Sequence, residues 1–257
     1  VTHHFAARQI RFFLTAPTPC PYLPGRNERK VFAHLPVSDG ASVNDTLTQV
    51  GFRRSQNIAY RPSCEACDAC WSARIPVTDY VFSRSERRSL ERNSDLTRQI
   101  VSAQASMEQF ELLSRYLHAR HAEGGMVEMA WPDYVAMVED TAVKTNLIEY
   151  RAPSDTNPKG DLIACALVDV LADGLSLVYS FFDPDASKRS LGSFVILDHV
   201  VQARRANLPK VYLGYWVKGS DKMAYKARFS PLEILRPGGW ILMSARDRAT
   251  DADPQPD

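Results

Sequence analysis

Apolar positions change their period along this chain. In the first hundred residues they come in short runs. Arg11-Phe12-Phe13-Leu14 reads as a short strand, and Pro17, Pro19, Pro21 and Pro24 then bar regular structure. A helix capped by Ser42 or Asn44 fits the stretch through Leu47 to Val50, with Gly51 as its stop. Ala59-Tyr60-Arg61 is extended, because Pro62 turns Arg61 away from helix. Trp71 to Val77 alternates in part and predicts a strand. Arg84 to Asn93 predicts a short, strongly basic helix. Past Ser106 the spacing becomes helical, through Met107, Phe110, Leu113 and Leu117. Pro132 suits the first turn of another helix carrying Tyr134, Val135 and Val138.

Strand signals then dominate. Asn146 to Arg151 and Leu162 to Leu171 flank a turn-rich stretch from Pro153 to Gly160. Gly174 separates the second from the apolar run Leu175 to Phe182, which predicts a hairpin closed by Asp183-Pro184. Ser190 to Ser193 opens a helix through Val195, Ile196, His199 and Val200. A strand at Lys210 to Tyr215, a helix near Lys222 to Ala227 and a strand at Leu232 to Leu235 follow. The fold class is α/β, in the mixed α+β sense, with no Rossmann repeat. The expected division is a basic, cysteine-containing module over 1–104, a second domain over 105–249 and a disordered tail at 250–257, where Asp, Pro and Gln prevail.

Length and composition add limits. The chain has 257 residues, 45% hydrophobic and 24% charged, which is ordinary for a globular protein. No stretch is apolar enough for a membrane span, and no signal peptide is readable, so the expectation is cytoplasmic with no membrane partner. The net charge of +1 hides an asymmetry: residues 1–100 carry +5 and the remainder −4. A positive first part favours phosphate-rich partners, although a solvated basic surface is the plainer reading.

Cys64-Glu65-Ala66-Cys67-Asp68-Ala69-Cys70 is the densest chemical signal. Three thiols at three-residue spacing, with Cys20 held between two prolines as a fourth, form a candidate set for a structural zinc or an Fe–S cluster. Thiols that simply pack are the alternative. Five cysteines without a secretion signal argue against disulfides. Cys165 lies in an apolar run and reads as a buried core thiol.

Several separated motifs occur in order: Cys20-Pro21-Tyr22-Leu23-Pro24-Gly25-Arg26, Gly51-Phe52-Arg53-Arg54-Ser55, Tyr60-Arg61-Pro62 and the cysteine loop. Arg74-Ile75-Pro76-Val77, Arg87-Arg88, Arg92-Asn93-Ser94-Asp95-Leu96, Tyr179 to Pro184, Gly214-Tyr215-Trp216 and Met223 to Glu233 complete the series. Together they resemble the bacterial branch of the arginyl-tRNA–protein transferase family, over roughly residues 10–240. The resemblance implies transfer of an amino acid, leucine in this branch, from aminoacyl-tRNA to proteins beginning with Asp or Glu, marking them for degradation. Eukaryotic members donate arginine and carry Cys-x-x-Cys near their start. Here that position reads Cys20-Pro21-Tyr22-Leu23, so the second thiol is absent. The implied fold of the second domain is GCN5-related acyltransferase-like. Arg189 to Ser193 then falls where such folds keep a phosphate-cradling turn, suited to the 3′ end of the tRNA. No cofactor is required for the chemistry.

Within that frame the candidate residues sort by chemistry. Asp183 and Tyr179 are candidates at the reacting atoms, for the acceptor amine and the oxyanion. No serine–histidine–acid triad is readable. Arg53, Arg54, Arg74 and Lys226 are candidates for the acceptor's carboxylate. Arg84, Arg87, Arg88 and Arg92 form a phosphate-facing patch, joined by Arg189 and Gly192, while Tyr215 and Trp216 are candidates to stack the terminal adenine. Arginine as donor, a coenzyme A-dependent N-acyltransferase, and a non-catalytic RNA-binding module are the alternatives.

Overall fold

The computed structural model describes residues 10–122 and 124–248; the tail expected to be disordered lies outside them. The chain begins with β1 (Phe12–Leu14), β2 (Thr18–Pro19), β3 (Asn27–Glu28), β4 (Lys30–His34), α1 (Gly40–Gln49), β5 (Arg53–Ser55) and β6 (Ile58–Pro62). Next come β7 (Cys70–Pro76), α2 (Arg84–Arg92), β8 (Thr97–Ser102), α3 (Met107–Arg120) and α4 (Trp131–Glu139). The strands β9 (Thr145–Ala152), β10 (Asp161–Val170) and β11 (Gly174–Phe182) lead into α5 (Leu191–Arg205) and β12 (Lys210–Val217). The last elements are α6 (Asp221–Ala224), β13 (Glu233–Arg236), β14 (Gly239–Leu242) and α7 (Ala245–Arg248).

Most of these are built as the sequence signals direct. Ser106 caps α3 and Ser83 caps α2, each through a reciprocal capping box. Pro132 falls in the first turn of α4, where its missing N–H is not needed. The start of α1 differs from expectation: Asp39 holds the cap position, while Asn44 is buried one turn inside. The helix expected near 222–227 splits into α6 and a 3₁₀ turn at Tyr225–Arg228.

An eight-stranded sheet forms the body, in the order β14-β13-β7-β12-β11-β10-β9-β8. Neighbours are antiparallel except β11 and β12, which run parallel with α5 as the crossover. Both faces of the sheet are covered. Leu112, Leu113 and Leu117 of α3 and Tyr134 and Val138 of α4 pack on Leu147, Leu167 and Phe181. On the other face Leu191, Phe194, Val195 and Val200 of α5 pack on Ile148, Tyr150, Ala164 and Val211. Because alternate residues of a strand face opposite sides, Leu147 and Ile148 serve different cores. β10 lies between the two layers and is buried along nearly its whole length, which explains its unbroken apolar run.

A smaller sheet, β1-β4-β6-β5, packs with α1 around Leu35, Leu47, Phe52 and Ala59. The boundary expected near 104 does not separate two sheets. β7 and β8, both from the first part of the chain, lie in the large sheet, β7 between β12 and β13 and β8 at its edge. Their mates are distant in sequence, and no local pattern in β7 or β8 announces them.

Candidate active site

Strands β11 and β12 begin side by side but part early. Their parallel pairing covers only Gly174–Ser176 against Lys210–Tyr212, although β11 runs on to Phe182 and β12 to Val217. Each strand carries an irregularity just past the last shared pair. On the β10–β11 side the register steps from Val168↔Leu177 to Leu167↔Tyr179, so Val178 is the extra residue. On the β7–β12 side it steps between Tyr212 and Gly214, so Leu213 is extra. Bulges bend strands and increase their local twist, and here they open a wedge toward the carboxyl ends. In open α/β sheets that is where ligands enter.

Arg53 reaches into this wedge from β5. Its Nη2 donates to Leu177 O and to Val178 O, each at 3.0 Å, so the carbonyls freed by the bulge are satisfied. Gly214 lies on the opposite wall at φ +72°, and a Cβ there would overlap the Arg53 guanidinium. The guanidinium also lies 5.9 Å from the centre of the Tyr215 ring.

Six tyrosines from different elements and loops form a group beside Arg53, linked neighbour to neighbour. Tyr60 packs on Tyr215 at 6.2 Å between ring centres. Tyr22 stands near Tyr60, Arg53 and Cys70, and Tyr225 near Tyr116, Arg53 and Tyr22. Tyr179 of β11 completes the group beside Tyr116 and Tyr22. Burial raises the pKa of Tyr22, Tyr116, Tyr179, Tyr215 and Tyr225, the last to about 12. Those five phenols therefore stay protonated at neutral pH and act as hydrogen-bond donors, the state that stabilises a developing oxyanion. Tyr215 is already committed, donating to Gly51 O and Tyr60 O at 2.9 Å.

Lys226 lies behind this group, 4% exposed, with Nζ donating to Tyr215 O at 2.6 Å. Burial first, and the Arg53 charge second, pull its pKa well below the ordinary lysine value. Asp183 sits at the end of β11, its Oδ1 accepting from the Asp185 N–H at 3.0 Å and its Oδ2 3.8 Å from Arg115. Phe182 beside it lies 4.9 Å from Tyr116, ring centre to ring centre.

The remaining candidates separate. Arg54 is buried and forks onto Asp169 at 2.6 and 2.7 Å, with Thr145 closing the network, so it joins the two sheets and has no donor to offer a substrate. Arg74 pairs with Glu233 at 2.6 Å and stacks on Trp240 at 4.0 Å, likewise committed. Trp216 is 2% exposed and packs on Trp71 at 5.1 Å, so it is a core residue and cannot stack a base. Adjacent strand residues point to opposite faces, and Tyr215 rather than Trp216 faces the wedge. The Arg189 fork is occupied by Asp95, two bonds of 2.8 Å, and ties the start of α5 to the end of α2. Gly192 stands in the first turn of α5 against the Phe182 ring, where a Cβ would come within 3.0 Å. Arg84, Arg87, Arg88 and Arg92 are exposed on α2, and Arg92 donates to Lys188 O beside α5. The basic helix therefore borders the turn at the start of α5.

The four cysteines of the first module share one neighbourhood. Burial, then the nearness of Cys67, Cys64 and Cys20, pushes the Cys70 thiol up to about 12. In ligand type the set suits a structural metal. Among the described residues no three Cys, His, Asp or Glu side chains are gathered as tightly as a bound ion requires. Cys165 is fully buried in the core.

Residues 18–88 match the family described as Arginine-tRNA-protein transferase, N terminus, and residues 108–236 match its C-terminal counterpart. The chain belongs to this family. It is 74% identical over 248 residues to a protein of Caulobacter vibrioides named aspartate/glutamate leucyltransferase, covering 96% of this chain and 89% of that one. A protein of the same name from Phenylobacterium zucineum is also 74% identical, covering 96% of each chain, and one from Afipia carboxidovorans is 54% identical over 93% and 96%. Among solved structures, FemX aligns with TM-score 0.44 at 10% identity, over 72% of this chain and 62% of that one. A GCN5-related glucosamine N-acetyltransferase region aligns with TM-score 0.40 at 8% identity, over 80% and 22%.

Of the expected residues, the wedge therefore brings together Arg53, Tyr179, Tyr215 and Lys226, with Asp183 at the end of β11. Sequence reasoning missed Tyr22, Tyr60, Tyr116 and Tyr225. Each is isolated in the chain, and only the closure of the two sheets brings them together.

Proposed function

We propose that this transferase moves leucine from leucyl-tRNA onto the free α-amine of proteins that begin with Asp or Glu, marking them for degradation. The observation that carries this reading is the 74% identity, over 96% of the chain, to a protein named for that activity. The wedge between β11 and β12 supports it as the place where donor ester and acceptor amine meet.

In the reaction the amine nitrogen attacks the ester carbonyl, and the bond from that carbon to the tRNA ribose oxygen breaks. The proton lost by the amine passes to the departing ribose oxygen through its neighbouring hydroxyl. An α-amine has an ordinary pKa of about 8, so a useful fraction is neutral at cellular pH. Alignment supplies much of the rate, since a fixed near-attack geometry can be worth ~7–11 kcal/mol. The protonated phenols of Tyr179 and Tyr225 are the donors available to the tetrahedral oxyanion. Arg53 shapes the wedge. The exposed arginines of α2 take the acceptor-stem phosphates, and the start of α5 faces the 3′ end.

Cys20, Cys64, Cys67 and Cys70 serve as a structural zinc site in this reading. Metal binding would draw their sulfurs together and fix the loop that carries Tyr22. The site would hold the loop in place and take no part in the transfer itself.

The test is transfer of labelled amino acid from charged tRNA to peptides differing only in their first residue, without coenzyme A. Leucine on Asp- and Glu-starting peptides, and none on Lys- or Ala-starting ones, is the expected result. Arginine in place of leucine would change the donor. Transfer from neither, by folded protein, would overturn the reading in favour of a coenzyme A-dependent enzyme or an RNA-binding module.

A further inference from the structure

Three of the four residues expected to hold the acceptor's carboxylate are committed within the protein or buried: Arg54 to Asp169, Arg74 to Glu233, and Lys226 to Tyr215 O. Arg53 spends its Nη2 on the bulge carbonyls. Cations without such partners stand elsewhere at the same mouth. Arg120, the last residue of α3, is exposed, with its guanidinium 5.8 Å from the centre of the Phe182 ring. Lys222 of α6 is exposed as well. Among the described residues no carboxylate lies within ion-pair distance of either.

His121, next in the chain to Arg120, feels the charge of both cations. It packs on Tyr116 at 5.4 Å, and burial, Lys222 and Arg120 together hold its imidazole below the ordinary value, so it adds no further charge at neutral pH. Arg120 thus lies against the aromatic wall made by Tyr116 and Phe182, and Lys222 acts on the His121 that packs on the same wall. The residue after Phe182 is Asp183, a carboxylate 19% exposed whose nearest cation, Arg115, is 3.8 Å away.

A protein beginning with Asp or Glu presents an ammonium group and a side-chain carboxylate, separated by two carbons in aspartate and three in glutamate. The mouth presents the complementary charges around Phe182. We propose that Arg120 and Lys222 read the acidic side chain of the acceptor's first residue, while Asp183 attracts its α-ammonium group. This rests on the acceptor class given above and adds the residues that select it. Arginine offers a carboxylate a two-pronged fit that a neutral amide cannot replace, so Asn- and Gln-starting chains are rejected. Asp183 touches the acceptor directly: it holds the ammonium group until one of its protons passes to solvent water, and the neutral nitrogen then attacks.

Direct titration of the full chain with short peptides starting Asp, Glu or Asn, without tRNA, tests this separately from catalysis. The wild type should bind the Asp peptide about tenfold or more tighter than the Asn peptide, a difference of about 1.4 kcal/mol. Arg120→Gln with Lys222→Gln should abolish that preference, and Arg120→Glu should shift it toward Lys-starting peptides. Acetylating the Asp peptide should weaken binding to the wild type but not to Asp183→Asn. With leucyl-tRNA, the double variant should raise KM for the acceptor and leave kcat nearly unchanged. An Asp-over-Asn preference equal in wild type and double variant would overturn the proposal, as would equal binding of both peptides by the wild type. A wild type that binds Asp peptides selectively but transfers nothing would instead refute the transferase reading and leave this one standing.

Discussion

Gly214→Ala tests how the wedge is held open. Gly214 has φ +72°, and a Cβ there would overlap the Arg53 guanidinium. Two costs are expected. The left-handed backbone costs a non-glycine residue about 1–2 kcal/mol. Expelling Arg53 also removes its charge-assisted bonds to Leu177 O and Val178 O, and one such bond is worth ~1.5–3 kcal/mol. Counting one such bond, since both are made by the single Nη2, the sum is about 2.5–5 kcal/mol, which for a chain of this size lowers Tm by roughly 5–20 °C. A double-mutant cycle separates the two parts. In an Arg53→Ala background the guanidinium is gone, and Gly214→Ala should cost only the backbone term of about 1–2 kcal/mol. Leucine transfer should fall in both single variants, because the wedge loses its filler. Thermal and urea unfolding give the energies, and the peptide assay gives the rates. If Gly214→Ala costs the same with and without Arg53, the two residues are not coupled and the account of the wedge is refuted.

Four further outcomes are expected. Asp169→Ala leaves Arg54 charged and buried without its partner, at a cost of about 3–5 kcal/mol in urea unfolding; a loss under about 1 kcal/mol would contradict the buried pair. His199 is fully buried, and burial holds its pKa below 6.5, so as pH falls through 6.5 the unfolded chain takes up a proton that the folded chain refuses. Stability should then drop by up to about 1.4 kcal/mol per pH unit, and His199→Gln should flatten that slope. Arg87→Ala with Arg88→Ala should weaken tRNA binding and reduce the slope of log K against log salt by about 1–2, with unchanged affinity and slope counting against the basic helix. Metal analysis of the purified protein should find zinc in proportion to chain, lost in Cys70→Ser and released as pH falls, because the thiols must be deprotonated to bind; metal-free, fully active protein would dismiss the site.

The legible parts of this molecule are those with a local cause. The capping boxes at Ser83 and Ser106, Pro132 in the first turn of α4, and the unbroken apolar run of β10 each declare their element in a few residues. β8 was not visible, since Thr97 to Ser102 is a half-polar edge strand with no clean alternation. The site was legible only in part. Arg53 and Arg54 look equivalent in sequence, yet adjacent positions of a strand face opposite ways, so Arg53 enters the wedge while Arg54 enters the buried network with Asp169. The same rule separates Tyr215 from Trp216. Arg120 and Lys222 had no signal at all, because a lone cation at a helix end is common and its meaning depends on which neighbours lack a countercharge.

The place of β7 bears on how the chain is made. This strand is synthesised early, yet both its neighbours, β12 and β13, come from near the end of the chain. Until they emerge, the apolar strand Cys70–Pro76 has two open edges and no sheet to join. The large sheet therefore cannot be assembled from the ribosome outward as a series of finished units, since its centre waits for its last strands. A nascent chain halted before β12 would expose Trp71, Ile75 and the cysteine loop together. That makes the interval between the synthesis of β7 and of β13 the period when this protein most needs protection from aggregation.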